Sequence, residues 1–198
     1  MLDWVMPGPP ATAKGAATSR RILDAAAEEF ALRGIAGARV ERIVQAARTN
    51  KAQLYGYFGN KDALFDAVIA DAARRMMDVA PFDAADLPGW AVRIYDENLT
   101  HPEMVRLATW VRLERQPSGP LADETATHDA KVAAITTAQD AGLLRPGDPN
   151  DMIAMVIAMA CAWSPVSSAY AASPADPAAD HDRRRAYLRE SVRRAVAP

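Results

Sequence analysis

Between positions 49 and 61 the sequence concentrates side chains that form hydrogen bonds, interspersed with small residues. On a helical wheel that starts at Asn50, the apolar residues share one face, and the opposite face carries Ala52, Gln53 and Gly56. A glutamine amide forms two hydrogen bonds with the edge of an adenine, and small neighbours let a helix backbone approach base edges closely. The spacing therefore favours contact with DNA bases, with Thr49 and Asn50 at the start of the same helix.

Other residues of this segment suit the phosphate backbone of a nucleic acid. Lysine and tyrosine side chains donate to phosphate oxygens, and the N-terminus of a helix attracts anions. The candidates are Lys51, Tyr55, Tyr57 and Lys61. A solvated helix surface with two half-buried tyrosines is the alternative interpretation, and the spacing alone does not separate the two.

Short helices must position these side chains. Apolar periodicity predicts helices over residues 20–34, 40–47 and 50–58, followed by a long helix over residues 60–79. The joint between the second and third helices has the dimensions of a helix-turn-helix. Residues 1–18 show no periodicity, and we expect them to form a flexible tail.

The rest of the chain also has a helical pattern. Breaks rich in proline and glycine separate apolar segments, and no alternating strand pattern occurs, so the predicted class is all-α with about nine helices. We expect a three-helix domain at residues 19–66 and a helical domain at residues 67–198. The later helices are predicted near residues 90–99, 104–111, 121–141, 152 to between 164 and 170, and 183–196.

Composition predicts a globular protein without a membrane segment, and the net charge of −2 by itself argues against a nucleic-acid partner, but the charges are unevenly placed. Of the 198 residues, 50% are hydrophobic and 24% charged, and the longest apolar run, at residues 152–163, is shorter than the roughly 18 residues that a membrane span needs. No secretory signal is recognisable, so we expect a cytoplasmic protein. Residues 1–61 carry nine Lys or Arg against five Asp or Glu, whereas residues 62–198 carry 14 against 20. The basic part of the chain therefore contains the candidate DNA contacts.

Signs of catalysis and of metal binding are weak. The histidines His101, His128 and His181 have neither a helical i, i+4 partner nor a cysteine pair, so we expect no metal site, no cofactor and no catalytic residue. A single cysteine, Cys161, lies in the most apolar run, where a thiol usually packs in the core. An enzyme that uses Cys161 with His101 or His128 as a base is the alternative hypothesis.

Three sequence motifs occur in order between Arg21 and Val68. They are I-L-x-A-A-x-x-x-F followed by R-G at residues 22–34, I-x-x-A-A at residues 43–47, and L-Y-x-Y-F-x-x-K-x-x-L at residues 54–64. In these motifs the segment resembles the DNA-binding domain of the TetR family of bacterial transcriptional regulators. The resemblance implies that one group of residues lies at the major groove and another binds the DNA backbone. The first group is Thr49, Asn50, Lys51 and Gln53, and the second is Tyr55, Tyr57 and Lys61.

Two residues depart from the family pattern. Arg48 stands where the family usually has a glycine in the turn, and a positive φ there would strain a residue that has a Cβ atom. Arg39 stands where a serine or threonine commonly caps the second helix, and its side chain could contact phosphate instead. We therefore count both arginines among the candidate DNA-binding residues.

The resemblance also implies the partners of the chain. They are a palindromic double-stranded operator, a second copy in a homodimer, and a small apolar effector of unknown identity whose binding relieves repression. Candidate pocket residues are Met104, Trp110, Leu113, Met155, Met159 and Trp163. Candidate dimer residues, on the last two helices, are Met152, Val156, Met159, Leu188, Val192 and Val196. All of these side chains could instead pack in the core of their own subunit. A helical adaptor or ligand-binding protein without sequence-specific DNA binding remains the alternative function.

Overall fold

The computed structural model describes residues 12–115 and 125–198, and within these residues the chain forms nine α-helices and no strand. The predicted all-α class is confirmed. A single turn of 3₁₀ helix covers Ala84–Asp86. The α-helices are α1 (Ala13–Gly37), α2 (Val40–Ala46), α3 (Lys51–Phe58), α4 (Lys61–Val79), α5 (Leu87–Thr100), α6 (Pro102–Arg115), α7 (Thr125–Asp140), α8 (Pro149–Ala160) and α9 (Ala178–Val196).

Helix α1 begins earlier than its apolar pattern predicts. The Thr12 hydroxyl oxygen accepts the Gly15 N–H at 3.1 Å and caps the helix, so the part of the expected tail from Ala13 onward is helical. The turns that follow contain alanine, glycine and serine and have no apolar stripe, which explains why the periodicity does not reveal them. The remainder of the expected tail, residues 1–11, lies outside the described residues.

The ends of the last two helices also differ from the prediction. Helix α8 stops at Ala160 instead of continuing toward residue 164 or 170, and Pro165 follows shortly after. Helix α9 starts at Ala178, five residues before the predicted start. Its first turns bury the polar residues His181 and Arg184, so the inward face there lacks the apolar spacing on which the prediction relied.

One compact unit contains residues 12–72 together with residues 106–115. Its core consists of side chains from α1 to α4, in which the rings of Phe30 and Phe65 meet edge to face with centroids 5.0 Å apart. Leu54 of α3 is fully buried in this core. The unit differs from the sequence-based division, because the C-terminal part of α6 belongs to it.

The other compact unit contains residues 73–105 and 125–198. Its central helix is α5, which packs against both α8 and α9. Trp90 is buried and donates its indole N–H to the Ala80 carbonyl oxygen at 3.1 Å, and Arg185 of α9 pairs with Asp96 of α5 at 2.7 Å. Among the residues described, no helix combines the length and apolar character needed to cross a membrane.

Candidate nucleic-acid interface

The two faces of α3 differ in the way that the spacing predicts. Leu54 and Phe58 are buried where α3 packs against α1 and α2, which fixes the rotation of the short helix about its axis. No atom lies within 4 Å of the place where a Cβ at Gly56 would stand. The residues exposed on α3, which we call the α3 outer face, are Lys51, Ala52, Gln53, Tyr55 and Gly56. Contact of this face with DNA remains a prediction.

The N-terminus of α3 is held by two side chains from the candidate set. The Asn50 Oδ1 atom accepts the Gln53 N–H at 2.9 Å, so Asn50 is the N-cap of the helix. The Thr49 hydroxyl donates to the Gln53 Oε1 atom. A carbonyl oxygen has a second lone pair, and Gln53 therefore keeps one acceptor and both amide hydrogens for another partner.

The turn that precedes α3 contains a backbone conformation that suits glycine. Arg48 has a φ of 50°, and no other residue with a side chain has a positive φ in the described parts of the chain. A left-handed backbone costs an L-residue roughly 1–2 kcal/mol. The strain expected from the arginine in this turn is thus present, and the Arg48 side chain is exposed.

Lys51, on the α3 outer face, is paired within the protein. Its Nζ atom lies 2.5 Å from a carboxylate oxygen of Glu41 in α2, and both side chains are exposed. The hydrogen bond from Lys51 lowers the pKa of Glu41, and the same contact raises the pKa of Lys51. Because a lysine ammonium carries three donor hydrogens, Lys51 can contact a phosphate beside Glu41 or in its place.

The remaining candidates for the DNA backbone lie on α3 and at the start of α4. Tyr55 is 42% exposed. Tyr57 is half-buried, and its ring meets that of Phe58 edge to face at 6.3 Å. Lys61 donates to the Ala38 carbonyl oxygen at 3.4 Å. Lysine carries three donor hydrogens, so this bond leaves donors for a phosphate.

Arg39 is the N-cap residue of α2, but its side chain makes no capping hydrogen bond. Glu29 of α1 instead binds the start of α2 through Arg39 and Arg42. One of its carboxylate oxygens accepts the Arg39 N–H at 3.0 Å and the Arg42 guanidinium at 2.7 Å. Burial raises the pKa of Glu29, but the bonds from Arg42 and from the Arg39 N–H outweigh this effect, and the pKa is lowered. No local sequence pattern indicates Glu29 as part of this site, because it lies ten residues before Arg39.

The structure places the six candidate pocket residues at different positions in the described parts of the chain. Met104 borders a cavity of about 160 Å³ that Glu97 and His101 also line. Trp163 borders a separate cavity of about 370 Å³ together with Tyr170, Arg183, Arg184 and Tyr187. Trp110 belongs to the unit that contains α1 to α3. Leu113 and Met155 are mostly exposed, and Met159 packs against the core of the second unit.

The candidate dimer residues mainly face the core of their own subunit. The buried ones are Met152, Val156, Leu188, Val192 and Val196, and Met159 is partly buried. A buried side chain is not available to a partner. The apolar residues that α8 exposes are instead Ala154, Met155, Ile157 and Ala158, which we call the α8 outer face.

The structure gives no support to the enzyme alternative. The Cys161 thiol receives a hydrogen bond from the Asn98 amide at 3.6 Å, and burial raises the pKa of this thiol, which disfavours the reactive thiolate. His101 pairs with Glu103 at 3.1 Å, and His128 contacts Asn150 at 2.7 Å. In residues 12–115 and 125–198, no cluster of three or more His, Cys, Asp or Glu side chains is arranged to hold a metal ion.

Comparison with known proteins places the chain in a family. Residues 22–68 match the family model of bacterial regulatory proteins of the tetR family, and residues 86–194 match that of the tetracyclin repressor-like C-terminal domain. The HTH-type transcriptional repressor SCO4008 of Streptomyces coelicolor is 41% identical over 150 residues, which cover 73% of this chain and 77% of the relative. The HTH-type transcriptional regulator RutR of Escherichia coli is 32% identical over 155 residues, which cover 71% of this chain and 70% of RutR.

A solved structure extends the similarity over nearly the whole chain. The crystal structure of the putative transcriptional regulator SCO4942 from Streptomyces coelicolor superimposes on this chain with a TM-score of 0.77 at 39% identity. The match covers 90% of this chain and 98% of the SCO4942 chain. Both halves of the sequence thus have relatives in one group of regulators, whose members bind operator DNA and small-molecule ligands as dimers. The chain belongs to the TetR family of bacterial transcriptional regulators, and it is a DNA-binding regulator rather than an enzyme.

Proposed function

We propose that the protein is a cytoplasmic homodimeric repressor that binds a palindromic operator through α3 and leaves it when a small molecule binds the second unit. The observation that carries the proposal is the α3 outer face. This face presents Gln53 beside Ala52 and Gly56, which have a small side chain and none, respectively. The buried residues Leu54 and Phe58 fix the rotation of the helix about its axis. The repressor named SCO4008, with 41% identity, supports repression as the outcome.

Gln53 is the proposed base-reading residue. Its amide would accept from the adenine N6 amino group and donate to N7, a pairing worth roughly 1–3 kcal/mol of discrimination against other bases. The hydrogen bond from Thr49 to Oε1 restricts rotation of this amide, and restriction before binding lowers the entropy lost on contact with DNA. Thr49 therefore acts as an orienting residue for Gln53.

The proposed backbone contacts surround this face. Arg39, Arg48, Lys51, Tyr55, Tyr57 and Lys61 are the candidate donors to phosphate. Contacts of this kind give affinity without sequence preference and fall with rising salt. Lys51 would contact a phosphate beside Glu41 or in its place.

The proposed dimer contact is the α8 outer face. Its large exposed side chains are Met155, 57% exposed, and Ile157, 39% exposed, and alanines at positions 154 and 158 flank them. Small residues let two helices approach closely, and a two-fold contact of one such face with itself gives a closed dimer that matches a palindromic operator.

The proposed effector site lies in the second unit. The cavity beside Trp163, about 370 Å³ in volume, has the size of a site for a small molecule, and its walls are aromatic with two arginines. An effector needs to favour the DNA-incompetent state by only about 1–3 kcal/mol to relieve repression appreciably.

Selection of the purified protein against random DNA at two salt concentrations tests the proposal. The wild type should enrich an inverted repeat, and Gln53→Ala should lose discrimination at one adenine of each half-site by roughly 5- to 150-fold. Gln45→Ala, at an exposed glutamine of α2, is the matched control and should keep the same base preferences. If the wild type binds only weakly and without sequence preference, the repressor proposal fails and the adaptor hypothesis takes its place.

A further inference from the structure

Helix α1 is interrupted near its C-terminal end, and the interruption separates helical N–H groups from their usual carbonyl partners. Gly34 has φ 69° and ψ −179°, which are not helical values. In a continuous helix the Ile35 N–H would donate to the carbonyl oxygen four residues earlier, that of Ala31. The interruption separates these two groups, and buried backbone groups need other partners.

Two residues of α6 satisfy both separated groups. The Glu114 carboxylate accepts the Ile35 N–H at 2.8 Å and the Ala36 N–H at 3.1 Å. The Trp110 indole N–H donates to the Ala31 carbonyl oxygen at 3.2 Å. Since Trp110 and Glu114 are four residues apart, they lie on the same face of α6 one turn apart. The Trp110–Glu114 pair thus supplies new hydrogen-bond partners to the two α1 groups, the Ala31 carbonyl and the Ile35 N–H, that the interruption separates.

The contact is too close for any residue other than glycine at position 34. A Cβ atom there would stand 2.3 Å from a Glu114 carboxylate oxygen and 2.9 Å from the Trp110 ring. The positive φ also disfavours a side chain. The R-G element of the family motif therefore has a physical reason in this chain, because Gly34 admits the Trp110–Glu114 pair to the α1 backbone.

The interruption directly precedes the helices that contact DNA in the proposed function. The Ala38 N–H donates to the Gly34 carbonyl oxygen at 3.2 Å, and α2 begins two residues later. The residue after Glu114, Arg115, pairs with Asp66, and its guanidinium lies 5.0 Å from the centre of the Phe65 ring in α4. The end of α6 therefore contacts α4 as well as the junction between α1 and α2.

We propose that Trp110 and Glu114 are positioning residues for DNA recognition, which fix the junction of α1 and α2 and through it the orientation of α3. The proposal rests on the proposed function, since it concerns the same DNA-binding face. It also means that the DNA-binding unit is discontinuous in sequence. Residues 12–72 lack two of the side chains that complete it, and residues 106–115 supply them.

Two full-length variants test the proposal, Glu114→Gln and Trp110→Phe. Glu114→Gln removes one acceptor oxygen, and Trp110→Phe keeps an aromatic ring but removes the indole N–H. Hydrogen exchange at the amides of Ile35 and Ala36 should become roughly tenfold faster or more in Glu114→Gln, because a hydrogen bond to a charged group is lost. In both variants the affinity for the selected operator should fall roughly tenfold relative to the affinity for unrelated DNA, and the midpoint of thermal unfolding should stay well above the temperature of the binding assay.

A matched charge control separates geometry from electrostatics. Glu28→Gln removes the same charge from an exposed position of α1 in the same unit. Loss of a negative charge by itself strengthens binding to DNA. A weaker operator complex for Glu114→Gln but not for Glu28→Gln therefore supports the positioning role.

The outcomes that overturn the proposal differ from those that overturn the proposed function. If both pair variants retain wild-type exchange and operator affinity, the positioning role is wrong although the repressor function stands. If the wild type selects no operator, the proposed function fails and the positioning role fails with it. If one variant does not fold, the other variant still tests the proposal. Glu114 and Trp110 bind opposite groups of the interrupted hydrogen bond, so each variant removes a different contact.

Discussion

Replacing Arg48 by glycine should stabilise the protein and weaken operator binding at the same time. The backbone at this position has a φ of 50°, which costs an L-residue roughly 1–2 kcal/mol. Glycine removes this cost but adds about 0.5–1 kcal/mol of conformational entropy to the unfolded chain. The net gain in the free energy of unfolding is therefore roughly 0–1.5 kcal/mol, and the central value of about 0.75 kcal/mol corresponds to about 1.5–3 °C in Tm.

The expected loss of DNA binding has a different origin. If Arg48 contacts one phosphate in each subunit, a dimer without it makes two fewer contacts. Each contact contributes about 0.9 to the slope of log affinity against log salt concentration, so the slope should become shallower by about 2. Affinity for operator and for unrelated DNA should fall together, because a phosphate contact does not distinguish bases.

Arg48→Ala is the matched control, since it removes the guanidinium but keeps a Cβ atom on a left-handed backbone. It should weaken DNA binding as much as Arg48→Gly without the gain in stability. Urea unfolding of the three proteins and operator titrations at several salt concentrations measure both effects. Equal stability of the glycine and alanine variants would refute the strain at position 48, and an unchanged salt slope would refute the phosphate contact.

Three further predictions concern the dimer, the acid stability and the core. Met155→Asp combined with Ile157→Asp should convert a dimer into monomers in sedimentation experiments, whereas Leu143→Asp, at another exposed apolar position, should not. Because the pKa of Glu29 is lower in the folded protein than in the unfolded chain, stability should be lost as pH falls below the ordinary glutamate value of about 4.5. Glu29→Gln should be less stable at neutral pH and should lose less stability on acidification, and parallel pH profiles of urea unfolding would contradict this. Leu54→Ala should lower the free energy of unfolding by roughly 2–5 kcal/mol and abolish operator binding, and a loss below about 1 kcal/mol would mean that α3 is not anchored there.

Features that depend on neighbouring residues could be predicted from the sequence. The spacing of Leu54 and Phe58 gives the rotation of α3, because both lie on one side of a helix of known pitch. The strain at Arg48 is expected from the resemblance, because the family usually has a glycine at this place in the turn, and the φ of 50° agrees with that expectation. The rotation of α3, by contrast, follows from residues within about one helical turn of each other.

Contacts between distant residues left no comparable signal. Glu114 and Ile35 are 79 residues apart, and nothing in the pattern around either residue indicates the other. Helix α9 shows the same difficulty in its first turns, where His181 bonds to the Tyr95 hydroxyl at 2.8 Å and Arg184 pairs with Asp176 at 2.7 Å. Because these inward positions hold polar residues whose partners lie elsewhere, an apolar pattern does not reveal the start of the helix.

Three carboxylates of the first unit connect neighbouring helices, although that unit is proposed to approach a polyanion. Glu29 binds Arg42 and an amide of α2, Glu41 pairs with Lys51, and Glu114 accepts two amides of α1. A small three-helix core buries limited apolar area, so charge-assisted hydrogen bonds contribute much of its geometric definition. Each negative charge is offset by a cation or by backbone dipoles, which reduces its repulsion of phosphate. In the proposed function these carboxylates would lower the affinity for phosphate, while Glu29 and Glu114 would position the junction of α1 and α2 and so favour specificity over affinity.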